Sequence, residues 1–516
     1  MSFPHDFAGL ETPAAYPHPV QDITVVQTHI SWIILTGDFT YKIKRPVALS
    51  FLDMRELERR HELCEEEVRL NRRLAPEIYL EVCPITGTGA AARLGGPGEP
   101  VEYAVRMRQF DRAGELDRLV AAHALRVEEL VAFGVELARW HGSLPPLPDA
   151  TSYDDPDTVA KLVVGNARDC ADTLAKSDHG AHARSLCDSL HAYASSRHAA
   201  LTERARADRF RECHGDLHLS NLVRIGTRIV AFDCLEFERR FRCIDVADEV
   251  AFLHADLEAS GSPDLAQHFL NAYLTRSGDF GLCGVLNWYA AHRALVMAKT
   301  AALRNLQATS DVSRYLATAE AALTRPRPLC IVMCGLSGSG KTWLASRLAP
   351  LLRAVHVRSD IERKRAAGLG STESSNSRLG GGLYDETNTR RTYGRIEHCA
   401  QQALDGRCNV IVDATFLHEQ QRARIRNLAA TCNARFAIVQ CMATTETLER
   451  RIRDRSKAGG DASEADVAVM ESQRKTIEDF TSEERLGLLE ANTADPHVLE
   501  RIAAALSGLS GVTIPE

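Results

Sequence analysis

The chain is 516 residues long, 45% hydrophobic and 25% charged, with a formal net charge of −7. That length exceeds what one hydrophobic core holds and implies two or three domains. The charge gives no overall attraction to nucleic acid or to an anionic membrane, and no apolar run reaches the roughly 18 residues of a membrane-spanning helix.

Met1 to Pro19 lacks a basic segment followed by an apolar core, so it does not read as a secretory signal. The 14 cysteines are scattered, with no CxxC pair and no histidines at zinc spacing. They read as reduced, mostly buried thiols in a cytoplasmic protein. Lysine is rare beside arginine, and Lys42, Lys44 and Lys341 stand where a compact ammonium on a phosphate is needed.

In chain order, Ile30 to Leu35, a Gly37-Asp38 turn and Phe39 to Ile43 predict a hairpin. Period-2 alternation puts Lys42 and Lys44 on one face. Only one is expected to touch phosphate, with Lys42 favoured. Arg59 to Leu74 reads as an amphipathic helix carrying Glu65, Glu66 and Glu67, of which Glu67 is the expected partner of the lysine.

His214-Gly215-Asp216-Leu217-His218-Leu219-Ser220-Asn221 follows an HxDxxxxN pattern. Asp233 follows the apolar stretch Ile229 to Phe232. A loop Asp, an Asn five residues later and an Asp at a strand end make the layout of a protein-kinase-like site. Asp216 would accept the proton of a substrate hydroxyl, and Asn221 and Asp233 would hold Mg2+. His214 would brace the loop.

A long Ala/Leu/Arg-rich helical region, 285–323, leads to the linker Thr324-Arg325-Pro326-Arg327-Pro328, where two prolines favour extended chain. The apolar run Leu329 to Cys334 predicts a buried parallel strand. It enters Gly335-Leu336-Ser337-Gly338-Ser339-Gly340-Lys341-Thr342, a complete GxxxxGK[ST] loop. Helical periodicity follows from Trp343 to Leu352. Strand, glycine loop and helix are the setting in which backbone N–H groups of Gly335, Ser337, Gly338, Ser339 and Gly340 cradle the phosphates of ATP. Lys341 would reach the β- and γ-phosphates and Thr342 would ligate Mg2+.

Val355 to Val357 predicts a second short strand, and Asp360 just beyond it would be the general base. Asn409 to Thr415 is another apolar strand ending in an acid, and Asp413 would act on Mg2+. Leu448 to Arg455 is an Arg-rich helix; Arg451, Arg453 and Arg455 are the arginines that would close over the transferring group, with Arg455 named as catalytic. Two segments, Ala366 to Gly382 and Arg451 to Ser463, combine Gly hinges with polar or cationic residues and have the composition of lids.

The second half, over roughly Pro328 to Ser507, resembles the small P-loop kinases that phosphorylate hydroxyls: gluconate kinase-like, zeta-toxin-like and phage polynucleotide kinase-like proteins. In that group an Asp shortly after the P-loop helix serves as base, which matches Asp360, and Val410 to Phe416 matches the second acidic strand. No DxDxT phosphatase motif accompanies it.

The first half, roughly Val20 to Leu323, resembles the aminoglycoside phosphotransferase/choline kinase group. It departs in lacking a GxGxxG loop before Lys42, and in carrying Asp233-Cys234-Leu235-Glu236 where that group's relatives have DFG. The whole chain resembles a bacterial family that fuses an aminoglycoside phosphotransferase-like domain to an ATP-binding kinase domain. The expected fold is thus a two-domain α/β and α+β protein. Residues 1–323 are kinase-like, 324–328 link, and 329–516 form a P-loop parallel sheet with helices on both faces. The expected activity is ATP- and Mg2+-dependent phosphorylation of a small-molecule hydroxyl, with no membrane or nucleic-acid partner. One active P-loop kinase beside a nucleotide-sensing domain, or a non-catalytic ATPase module, are the alternatives.

Overall fold

A computed structural model describes residues 5–49, 52–148, 152–304, 309–370, 373, 385–458 and 462–510. The chain forms two compact units: Met1–Glu129, Leu144–Asp154 and Asp208–Leu253 make unit 1, and Leu130–Ser143, Asp155–Ala207 and His254–Glu516 make unit 2. This division is drawn differently from the linker at 324–328. Helices that precede the linker belong to the same unit as the P-loop sheet, because their side chains close one edge of it. Among the described residues no helix is long and apolar enough to cross a membrane.

Unit 1 is built on six antiparallel strands: β1 (Thr24–Gln27), β2 (Ser31–Leu35), β3 (Phe39–Lys44), β4 (Tyr79–Thr86), β5 (Arg93–Leu94) and β6 (Pro100–Arg108). Their order across the sheet is β1-β2-β3-β6-β4-β5. The expected hairpin is β2–β3, turned at Gly37, whose φ of 97° is open to glycine at little cost. Tyr41 and Ile43 point into a core with Ile34, Ile85 and Ala104. Lys42 and Lys44 share the opposite face, and Lys42 stands beside Val105 of β6. The helix Leu57–Asn71 packs Cys64 and Val68 against Val105 and Tyr79 on that face. That packing carries Glu67, one residue before Val68, beneath both lysines.

A two-stranded ribbon, Leu222–Ile225 with Arg228–Ala231, then brings Asn221 and the residues before Asp233 together, and Phe232 N–H donates to Asn221 O at 3.0 Å.

In unit 2 a five-stranded sheet comprises β7 (Leu329–Cys334), β8 (Ala354–Arg358), β9 (Asn409–Asp413), β10 (Arg435–Met442) and β11 (Leu488–Asn492), in the order β8-β9-β7-β10-β11. Every pairing is parallel. All six residues of β7 are buried, as a central strand covered on both faces requires. On one face Leu344 and Leu348 of the helix Lys341–Leu351 meet Ile502 and Leu506 of the helix Val498–Ser510. Each such side chain, fully buried, contributes about 1.5–3 kcal/mol. Helices Glu386–Asp405 and Glu419–Thr431 lie against β9 and β10.

The outer edge of the sheet is β8. Gln267 and Asn271, from the helix Pro263–Ser277, donate to Ala354 O at 2.9 and 3.0 Å, and His356 N–H donates to Asn271 Oδ1 at 3.0 Å. Two side-chain amides thereby satisfy backbone groups that an open edge leaves unpaired. The single helical region read over 285–323 is two helices, Cys283–Arg304 and Thr309–Leu323.

Candidate functional site

The P-loop folds as the strand–loop–helix that its sequence implies. Gly335, Gly338 and Gly340 have φ of 138°, 82° and 86°. A Cβ at Gly335 would stand 2.4 Å from Cys441 O, so neither the conformation nor the space admits another residue there. Lys341 Nζ donates to Gly335 O and Leu336 O, each at 2.8 Å, within its own loop. Ser337 and Ser339 are buried in the loop, and Ser337 N–H donates to Gln473 Oε1 at 2.9 Å.

The Thr342 hydroxyl donates to Asp413 Oδ2 at 2.7 Å. β7 and β9 are adjacent parallel strands, and Met333 is registered with Asp413, so the end of β9 lies beside the start of the loop. His356 Nε2 lies 3.2 Å from the same carboxylate oxygen. Burial raises the Asp413 pKa, but the His356 hydrogen bond and the charges of Arg358 and Lys341 outweigh it and hold the carboxyl below its ordinary value. An ionised carboxylate only accepts, so His356 carries its proton on Nε2. A hydroxyl and a carboxylate in contact are hard oxygen donors that suit Mg2+.

A cavity of about 240 Å³ joins these groups to Asp360, Arg358, Arg363, Tyr393, Arg451 and Arg455. Asp360 sits in the first turn of the helix Ser359–Ala366 rather than in a loop, and Arg363 one turn on donates to it at 2.9 Å. Among the described residues no hydrogen bond or ion pair engages the Arg358 guanidinium, at the end of β8. The three arginines of the Arg-rich helix, Thr445–Ala458, separate. Arg451 donates to Thr493 Oγ1 at 2.7 Å and to Gly338 O at 3.4 Å, which ties the helix to the loop. Arg455 donates to Ala465 O at 2.6 Å and lines the cavity. Arg453 pairs with Glu449 on the exposed face and does not line the cavity. Of the two expected lids, 371–372, 374–382 and 459–461 lie outside the described residues.

In unit 1, Lys42 Nζ donates to Glu67 Oε1 at 2.8 Å and to Asp233 Oδ1 at 2.5 Å. Lys44 does not stand aside: it donates to the other oxygen of Glu67 at 2.7 Å and also bonds Glu236. The two lysines lie one alternation apart, and a single carboxylate with two oxygens spans them. Glu67 is fully buried; burial raises its pKa, but Lys42 and Lys44 outweigh that and bring it down to about 2. Burial depresses Lys42, yet the carboxylates of Asp233 and Glu67 hold it well above the usual lysine value.

Asp216 Oδ2 accepts from Asn221 Nδ2 at 2.9 Å, so loop acid and amide are in contact. His218 Nε2 lies 3.4 Å from the same oxygen. His214 Nε2 is 2.9 Å from Phe232 O, which ties the loop to the ribbon as expected of a brace. Gly215 N–H donates to Glu249 Oε2 at 2.6 Å. Asp233 has a φ of 64°, a left-handed conformation that Asp tolerates, and its N–H donates to the Tyr79 hydroxyl at 3.0 Å. Asp233, through its carboxylate, and Asn221, through its amide oxygen, are the groups of this unit that could hold Mg2+.

Sequence reasoning missed Glu236, His356, Arg358 and Tyr393. Glu236 closes the quoted Asp233-Cys234-Leu235-Glu236 stretch, and Arg358 stands between the expected strand and Asp360, two residues before the acid. His356 lay mid-strand and carried no local signal.

A family profile described as an AAA domain matches residues 330–480. Among solved structures, a gluconokinase from Sinorhizobium meliloti 1021 is 20% identical, covering 36% of this chain and 96% of its own, with a TM-score of 0.27. An ethanolamine kinase of Plasmodium vivax is 10% identical, covering 58% and 81%, with a TM-score of 0.35. The uncharacterized protein Rv2004c of Mycobacterium tuberculosis (strain ATCC 25618 / H37Rv) is 31% identical over 466 residues, 89% of this chain and 92% of its own. The uncharacterized protein Mb2027c of Mycobacterium bovis matches to the same extent. With that identity across both halves, the chain belongs to the same family as these uncharacterized mycobacterial proteins.

Proposed function

We propose that the protein is an ATP-dependent phosphotransferase whose P-loop site moves the γ-phosphoryl group of ATP to a hydroxyl of a small molecule. One observation carries the reading: Asp360 opens into the same cavity as Lys341, Thr342 and Asp413. A nucleotide-only binding site needs no carboxylate opposite the phosphate loop. Thr342 and Asp413 would hold Mg2+, which supplies charge neutralisation at the phosphates. Lys341, released from its loop carbonyls, would meet the β- and γ-phosphates. Asp360, oriented by Arg363, takes the proton of the attacking hydroxyl. Arg358 and Arg455 face the space where charge builds in the transition state.

The constellation of unit 1 supports a second site of the same class. Lys42 and Glu67 would position phosphate, Asp216 would act as base, and Asn221 and Asp233 would hold Mg2+. The direct bond from Lys42 to Asp233 favours a second reading for this unit, in which nucleotide is bound without transfer.

Asp360→Asn and Asp216→Asn test both readings. A metabolite pool incubated with labelled ATP and the full chain should yield a labelled product that Asp360→Asn abolishes. If unit 1 transfers as well, Asp216→Asn abolishes a different product and only the double variant is silent. ATP turnover with no labelled acceptor in any pool would overturn the phosphotransferase reading.

A further inference from the structure

Within unit 2, three arginines border a second cavity of about 40 Å³. Each stands shortly before a strand: Arg325 in the linker ahead of β7, Arg353 immediately ahead of β8 and Arg407 two residues ahead of β9. These strands are adjacent and parallel, so the cavity lies at the N-terminal end of the sheet, whereas the P-loop leaves the C-terminal end of β7. His254 and Glu258, one turn apart on the helix Val246–Ala259, complete the border.

Glu258 is the one carboxylate among the described residues that line the space, against three guanidinium charges. The contacts between these groups are long. Arg325 donates to Glu258 at 3.3 Å, Arg353 at 3.5 Å, and Arg407 donates to Arg325 O at 3.4 Å. Charge-assisted bonds usually close to about 2.7–2.9 Å, so the guanidiniums are loosely held. Arg325 Nε and His254 Nδ1 are buried with no hydrogen-bond partner among the described residues, and His254 is 4% exposed. Buried polar atoms left in this way call for a ligand or an ordered water.

The backbone adds an independent sign. Arg353 and Arg407 have φ of 47° and 58°, and among the described residues they are the two arginines with positive φ. Each follows the end of a helix, Lys341–Leu351 and Glu386–Asp405, at a place where glycine is the usual residue. Two strained arginines that border one cavity point to a role for their charge.

We propose that this cavity binds one small tetrahedral oxyanion, of which inorganic phosphate is the simplest, between the guanidiniums of Arg325, Arg353 and Arg407 and the ring of His254. Guanidinium forks match the geometry of such an ion and can give it paired N–H···O bonds. Space for roughly three water molecules suits one oxyanion and excludes a nucleotide. Arg407 is exposed, which opens the cavity to solvent. A dianion balances the charge that Glu258 leaves uncompensated. By joining the residues ahead of β7, β8 and β9, it would stabilise the sheet from the end away from the P-loop.

Arg407→Gly removes one cation at a position whose backbone glycine adopts freely. Thermal melts of the full chain are titrated with sodium phosphate, and with sodium chloride at matched ionic strength. Lys341→Ala is carried in both proteins to weaken phosphate uptake by the P-loop, and any that remains is common to both. Phosphate should raise the melting temperature of the parent. The same rise in Arg407→Gly should need about tenfold more phosphate or beyond, as the loss of a charge-assisted hydrogen bond implies. In chloride alone the variant should melt no lower than the parent. Arg407→Gln, which keeps the positive φ and loses the charge, should show the same weakened response and supplies the comparison if the glycine variant folds poorly. An equal phosphate response in parent and variants, or a chloride response as large as that to phosphate, would overturn the proposal. A deficit in the variants that is the same in every salt would overturn it too, because the arginine would then serve only the C-terminus of its helix.

Discussion

His356 Nε2 and the Thr342 hydroxyl converge on one oxygen, Oδ2 of Asp413, at 3.2 and 2.7 Å. The histidine stands on β8 and the threonine at the start of the P-loop helix, so Asp413 is held from both sides. Its second oxygen accepts no hydrogen bond among the described residues, and on the proposed function it would be the oxygen offered to Mg2+. His356 is 8% exposed and does not line the cavity, so on the proposed function its part would be to orient the acid.

Replacing His356 with Phe keeps a ring of similar size and removes the donor. Groups that orient a metal ligand contribute about 10–100-fold to metal affinity. The Mg2+ concentration for half-maximal ATP turnover should therefore rise by about tenfold or more, while nucleotide binding in chelator stays as it was. An unchanged Mg2+ requirement would show that His356 only fills space.

Lys341 is held by two loop carbonyls, which on the proposed function it would exchange for phosphate oxygens. Lys341→Ala deletes the cation and leaves the backbone cradle. ATP affinity or turnover at this site should fall by an order of magnitude or more, which corresponds to at least about 1.4 kcal/mol. Titration of a fluorescent ATP analogue on the full chain, with Lys42→Ala in the background to silence unit 1, would measure it.

What was legible in the sequence was contiguous. The P-loop glycines, the strand before them and the helix after them are neighbours in the chain, and their spacing alone specifies the turn. The Lys42–Glu67 pair could be anticipated because alternation on a strand and periodicity on a helix each limit the choice to a few residues. The unread contacts join distant segments: His356 meets Asp413 57 positions away, and Asn271 meets His356 85 positions away. Arg453 could not be separated from Arg451 and Arg455 by composition. Only the rotation of the helix about its axis sends one to solvent and the others toward the loop and cavity. That Glu67 bonds Lys44 as well as Lys42 was not legible, because alternation places both lysines on one face without saying how the two oxygens of one carboxylate are shared.

The edge contacts of β8 predict that the P-loop half depends on the helix Pro263–Ser277. Asn271→Ala leaves Ala354 O with one donor fewer and His356 N–H without its acceptor, at a position buried against a helix. Leaving such groups unsatisfied costs about 1–3 kcal/mol. The variant should unfold at a lower temperature and require more Mg2+, because β8 carries His356. A fragment starting near residue 325 should be less stable still, since it loses Gln267 as well. A fragment that melts with the full chain's transition would refute this dependence.

Glu258 makes stability depend on pH. Its side chain is 8% exposed and accepts from Arg325 at 3.3 Å, with Arg353 at 3.5 Å. Burial raises its pKa, but the charge of Arg325, that of His254 once it is protonated below about pH 4, and that of Arg353 outweigh that and bring it down to about 2. A glutamate in the unfolded chain titrates near 4.3, so the pairing stabilises the fold fully above about that pH. The contribution is lost as pH falls from there through about 2. At roughly 1.4 kcal/mol per pKa unit it is on the order of 3 kcal/mol at neutral pH. His254, brought down to about 4 chiefly by burial, acts with the same sign over a higher window. It stays neutral in the fold, while the unfolded histidine gains a proton below about pH 6.5. Glu258→Gln should therefore unfold at a lower temperature than the parent at pH 7. The gap should hold down to about pH 5 and narrow toward pH 3, and the decline between about pH 6.5 and 4 should remain in both proteins. Thermal melts across that range measure both windows, and a gap that stayed constant to pH 3 would show that the Glu258 carboxylate is not held ionised by its arginines.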